Sequence, residues 1–82
     1  MVYGFSYRRN EIYSENRGSV IDSFEEAEER LKEYAKSDLR EEGFANGRVY
    51  EIAEGKKVRE VDYIIICKKG VAELVPKDKI FY

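Results

Sequence analysis

The stretch from Ser23 to Glu42 constrains this chain most, because it alone is long and periodic enough to fix an element by itself. Phe24, Ala27, Leu31, Tyr34, Ala35 and Leu39 recur at steps of three or four residues, the stripe of an amphipathic α-helix. At about 100° per residue the stripe spans an arc of about 140°. Glu25, Glu29, Glu33, Lys36 and Arg40 lie opposite it. Ser23 with Glu26 three residues on is a capping box, and Asp22 with Glu25 is a second candidate start. Gly43 is expected to supply the left-handed stop. Acids crowd the first turns and Lys36 and Arg40 the last, as the helix dipole prefers.

The flanks read as strands that need this helix as a lid. Val2 to Arg8 alternates, with Tyr3, Phe5 and Tyr7 on one side, and Ile12-Tyr13 continues a second extended piece up to the turn signal Glu15-Asn16-Arg17-Gly18. A hairpin is favoured over one long strand. Ser19-Val20-Ile21 leads into the helix. After it, Asn46-Gly47 carries turn chemistry. Three strands follow: Arg48 to Ala53 with Tyr50 and Ile52 facing one way, Val58 to Cys67, and Val71 to Val75 stopped by Pro76. Glu54-Gly55-Lys56-Lys57 and Lys68-Lys69-Gly70 are the loops between them. Ile80-Phe81-Tyr82 adds an edge strand or frays. The expectation is one α+β domain over residues 1–82: one amphipathic helix on an antiparallel sheet of four to five strands. Phe24, Leu31, Tyr34, Ala35 and Leu39 should meet Tyr3, Phe5, Tyr50, Ile52, Tyr63 and Ile65.

Tyr63-Ile64-Ile65-Ile66-Cys67 is apolar on both faces of its strand: Val61, Tyr63, Ile65 and Cys67 share one side, Ile64 and Ile66 the other. One helix covers only one face of a sheet. A chain of 82 residues buries only about 60–65% of its unfolded surface and has little material for a second layer. Either another part of the chain folds across Ile64 and Ile66, or a partner does, a second copy or a different protein. The partner is favoured, with Ile64 and Ile66 as the interface.

Charge is unevenly spread. Asp22 to Glu42 holds nine acids and four bases, net −5; the rest holds eight acids and eleven bases, net +3, giving −2 overall. Glu25, Glu29 and Glu33 therefore form a second candidate contact face, for a basic partner. The competing reading is a small nucleic-acid-binding protein. Arg8, Arg9, Lys56, Lys57, Arg59, Lys68 and Lys69 sit at expected strand ends beside the aromatic rings of Tyr3, Phe5, Tyr7, Tyr50 and Tyr63, as on single-strand stacking platforms. The negative net charge argues against it.

Chemistry is sparse. The sequence has no His, so Ser-His and Cys-His nucleophiles and ordinary zinc sites are excluded. Cys67, the single cysteine, sits in an apolar run and reads as a core residue, and it allows no internal disulfide. The six glycines stand singly, with no phosphate-cradling loop. Asp38 falls within the apolar arc of the helix, which suggests a capping or partner contact. No enzyme activity, cofactor or metal is expected. No apolar run approaches the ~20 residues of a membrane span, and the N-terminus does not read as a signal peptide. A reducing, cytoplasmic setting is the expectation.

From Ser19 to Tyr63 the pattern resembles small accessory proteins of phages and mobile elements, in which an acidic helix of the type SFEEAEERLKEYAKS is followed by a strand such as GRVYEI. That resemblance implies an inhibitor or adaptor that binds a host protein, anti-CRISPR proteins among them. The element order and the GKKV turn are also similar to the dodecins, flavin-binding oligomers. The dodecin flavin-stacking Trp has no counterpart in this Trp-free sequence, so flavin binding is not carried over.

Overall fold

The computed structural model describes residues 2–10, 12–16 and 21–79. Of the expected turn Glu15-Asn16-Arg17-Gly18, Glu15 and Asn16 instead continue a strand. Arg17-Gly18, the Ser19-Val20 lead-in and the Ile80-Phe81-Tyr82 end lie outside the described residues. Strands β1 (Val2–Arg9) and β2 (Ile12–Asn16) precede helix α1 (Phe24–Leu39); β3 (Glu42–Ala53), β4 (Lys56–Lys68) and β5 (Val71–Pro76) follow, with a 3-10 turn at Lys77–Lys79. The strands form one antiparallel sheet in the order β2-β1-β3-β4-β5, and α1 packs on one face. The α+β architecture expected from the sequence is the one observed, with the N-terminal hairpin.

The helix starts as its cap predicts. Ser23 is the N-cap and its side chain accepts from the Glu26 N–H at 3.0 Å. Glu26 Oε2 accepts at 2.9 Å from the N–H of Asp22, one residue before the cap. The stop differs from expectation. Arg40, at φ 63°, ends the helix, and its N–H donates to Lys36 O at 2.9 Å. Gly43 does adopt φ 151°, but inside β3. A Cβ there would stand 3.0 Å from Leu39 Cδ2.

Two hairpins follow from two dipeptides. Glu54-Gly55 at φ 52° and 76°, and Lys69-Gly70 at φ 52° and 78°, are two-residue loops of type I′, the twist that antiparallel strands prefer. Lys56 and Lys57 therefore belong to β4, and Lys68 closes it.

β3 begins at Glu42, six positions before the strand read from the sequence, and runs straight through Asn46-Gly47. Gly47 is needed for space. A Cβ on it would come within 2.8 Å of both Ile65 Cδ1 and Leu31 Cδ2. The residues of β3 under the helix are therefore Ala45, Gly47 and Val49. This corrects the expected core. Tyr50 and Ile52 point to the opposite face, because the pleat sends alternate residues to opposite sides and Val49 holds the inward phase. The observed core joins Ile21, Phe24, Ala27, Leu31 and Ala35 to Phe5, Tyr7, Ala45, Val49, Tyr63, Ile65 and Ala72, with Tyr3, Tyr34 and Leu39 half-buried beside them. The Tyr34 ring packs tilted on Tyr7, centroids 4.9 Å apart.

Candidate interaction surface

With α1 on one face, register fixes what the other face presents. β1 contributes Gly4, Ser6 and Arg8; β3 contributes Phe44, Asn46, Arg48 and Tyr50; β4 contributes Glu60, Asp62, Ile64 and Ile66; β5 contributes Val71, Glu73 and Val75. Phe44 pairs with Ile66, and Ile64 with Val75. Lys68 sits opposite both Glu42 and Val71. One end of this face is therefore apolar. Phe44 is 74% exposed, Val71 66% and Ile66 42%, and nothing among the described residues covers them. Ile64 and Val75 are half-buried beside them. Glu42, Phe44, Ile64, Ile66 and Lys68 line a shallow apolar depression there.

Toward the middle the face turns polar. Arg48 Nε lies 2.5 Å from Asp62 Oδ1 and Nη1 3.8 Å from Glu60 Oε1. The Asp62 carboxylate, hydrogen-bonded to it, raises the already high pKa of the Arg48 guanidinium. Ser6, Arg8, Tyr13, Asn46 and Lys77 complete a polar cleft around this pair. Tyr50, opposite Gly4 in register, is only 1% exposed although it lies on this side. Its hydroxyl reaches Glu15 Oε1 at 2.9 Å and Phe5 O at 3.3 Å.

Ile64 and Ile66 thus stand on the face away from the helix, as the alternation of β4 requires. Glu25, Glu29 and Glu33 are exposed on the outer surface of α1, on the opposite side of the molecule. Lys32 Nζ holds Glu29 at 3.2 Å.

The cations proposed for nucleic acid are not gathered together. Arg9 is committed to Asp38, with Nε to Oδ2 at 2.5 Å and Nη2 to Oδ1 at 3.1 Å. Arg59 lies over the Phe24 ring at 4.1 Å, and Lys57 pairs with Glu60 at 3.1 Å. Arg8 is on the open face, Lys56 begins β4, and Lys68 and Lys69 close its far end. From Lys57 to Lys68 the strand extends about 36 Å. Tyr3, Phe5, Tyr7 and Tyr63 lie beneath the helix rather than on an open platform.

Two tyrosine–carboxylate bonds tie helix to sheet. Tyr7 donates to Asp38, and Tyr63 donates to Glu28 Oε2 at 2.8 Å. Burial first, and the neighbouring carboxylate second, push both phenol pKa values well above the ordinary range. Arg9, then Tyr7, hold the Asp38 carboxyl below its ordinary value. The capping-type role expected for Asp38 at the helix end is thus a clamp onto β1. Cys67 is buried, its thiol donating to Arg40 O at 2.9 Å.

Sequence reasoning missed Phe44, Val71 and Val75 as members of the open face. The signal was present: Phe44, Asn46, Arg48, Tyr50 and Ile52 keep one unbroken alternation across the Asn46-Gly47 dipeptide. No family model matches this chain, and no curated protein or solved structure matches it either. No helix among the described residues is long and apolar enough to cross a membrane.

Proposed function

We propose that this chain is a non-enzymatic protein–protein interaction module that associates with itself through the open sheet face, with Ile64 and Ile66 at the contact. The observation that carries the reading is the adjacency of Phe44, Ile66 and Val71, large apolar side chains left exposed on paired strands. Contiguous exposed apolar surface on a small domain marks an interaction site. Covering these three side chains is worth about 3–6 kcal/mol, a large sum for a domain of ordinary stability.

Light scattering on the wild type and on Phe44→Asp with Ile66→Lys tests it, with circular dichroism as the control for folding. A wild-type dimer that becomes a folded monomer supports the reading. A wild type that stays monomeric at every concentration removes self-association.

The exposed acidic side of α1 supports a second contact, for a basic partner, at Glu25, Glu29 and Glu33. An inhibitor or adaptor of a host protein, as the phage-type resemblance implies, would keep the helix surface free for its target while the sheet face self-associates, since the two lie on opposite sides. Reversing the three helix charges should abolish capture of a basic partner and leave the self-associated mass unchanged. The nucleic-acid reading predicts oligonucleotide affinity that falls steeply with salt and is lost on neutralising Arg8, Lys68 and Lys69.

A further inference from the structure

We infer that the occupant of the open face is a second copy of this chain, related by a two-fold axis that runs along the strands between β3 and β4. The inference rests on the self-association reading and adds the orientation. Its basis is the charge pattern of the face. Arg8 and Arg48 stand on β1 and β3, whereas Glu60, Asp62 and Glu73 stand on β4 and β5.

A rotation about an axis parallel to the strands keeps each residue at its own level and exchanges the two sides of the face. β3 of one copy then lies over β4 of the other. The in-chain register pairs become the pairs that meet across the axis: Glu42 over Lys68, Phe44 over Ile66, Arg48 over Asp62. Arg8 of one copy comes onto β5 of the other at the level of Val75, one pleat repeat from Glu73. The two meetings between charged residues, Glu42 over Lys68 and Arg48 over Asp62, both join opposite signs, and the apolar pair meets itself. An axis across the strands does the reverse. Set near the level of Arg48, it lays the apolar end of one copy over the Tyr50 and Glu60 end of the other and stacks Arg48 on Arg48. Set at the level of Phe44, it joins the apolar ends but carries Arg48 and Asp62 past the start of the partner's β3.

Aligned sheets pack face to face about 10 Å apart with strands crossing at about 30°, which suits an axis along the strands. Four strands about 4.8 Å apart and four residue levels deep bury roughly 800–1,000 Å² in total. This is the low end for a specific interface, so the dimer belongs to the weak class with dissociation in about the micromolar range. Phe44 and Ile66 form its apolar centre, and the Arg48–Asp62 pairs its charged margin.

The experiment measures dimer dissociation by sedimentation equilibrium on the full chain, for Arg48→Glu alone, Asp62→Arg alone, and an equimolar mixture of the two. Each single reversal places like charges at both symmetric meetings and should raise the dissociation constant at least about tenfold. In the mixture one copy carries both acids and the other both bases, so the heterodimer should recover wild-type affinity. Loss of the in-chain Arg48–Asp62 bond alone would not be repaired by mixing. Glu42→Lys with Lys68→Glu is a second swap with the same logic, should the first pair fold poorly.

A dimer that ignores the reversals, or one that mixing does not restore, overturns the orientation and leaves self-association standing. A wild-type monomer at up to about 500 µM, far above the expected dissociation constant, overturns both. If the stability of that monomer also falls on removing residues 80–82, the chain's own C-terminal end is the occupant.

Discussion

The hydroxyl of Tyr7 on β1 donates a hydrogen bond to Oδ2 of Asp38 on α1, a residue 31 positions further along the chain. The same carboxylate takes both nitrogens of the Arg9 fork. One acid at the last turn of the helix is thus saturated by two side chains of a single strand, and the helix is fixed against β1 at that end.

Acid should loosen this clamp. Hydrogen bonds from Arg9 and Tyr7 keep Asp38 ionised below its ordinary pKa. A carboxyl whose folded value is depressed gives stability that is complete above its unfolded value of about 3.9 and fades as pH falls toward the folded one. Urea unfolding of wild type and Asp38→Asn across the acid range should show curves well separated at neutral pH and converging below about pH 4. Parallel curves would show that the clamp contributes nothing through ionisation.

At the other end of the pH scale the sign is reversed for Tyr63, whose contribution is lost as pH rises. Its phenol pKa is raised by burial, then by the bond to Glu28, so the stability it gives is complete below about pH 10 and lost as pH rises beyond. Tyr63→Phe should cost about 1–2 kcal/mol at neutral pH. It should also flatten the alkaline loss, measured by thermal melts in a pH series.

Gly47 sets how closely helix and sheet approach. Gly47→Ala forces Leu31 and Ile65 apart in a filled core and should destabilise by about 1–3 kcal/mol. With Leu31→Ala in the same chain the penalty should shrink, since the methyl then fills the space vacated. Strict additivity in this double-mutant cycle would refute close contact as the reason for the glycine.

The cap is the plainest case. Ser23→Ala removes the acceptor for the Glu26 N–H and should cost about 1 kcal/mol. Ser23→Asp should keep the cap and lose almost nothing, both read from the urea midpoint.

How much of this is legible in the sequence depends on which signals are local. The helix, its cap and the two glycine turns rest on residues a few positions apart, and all were readable. So was the two-sided apolarity of β4. The start of β3 was not, because Asn46-Gly47 has the composition of a turn. Only the presence of Leu31 and Ile65 above Gly47, residues far away in sequence, explains a glycine there. The same error hid Phe44 and placed Tyr50 under the helix. A strand whose inward residues are Ala45, Gly47 and Val49 looks, read alone, as though its large residues face the core.

The strand order has a consequence for how the chain assembles. β3, β4 and β5 are joined by two-residue turns, so their pairing closes short loops. β1 reaches β3 only across the helix, as the 45 positions between Phe5 and Tyr50 record. Contacts that close long loops form late and slowly. Truncations at Ile65 should therefore retard folding, whereas truncation at Phe5 should chiefly hasten unfolding, as stopped-flow measurement can separate. Until β1 arrives, the inner edge of β3 stands bare, and a newborn chain is then most prone to accept a strand from a neighbour in place of its own.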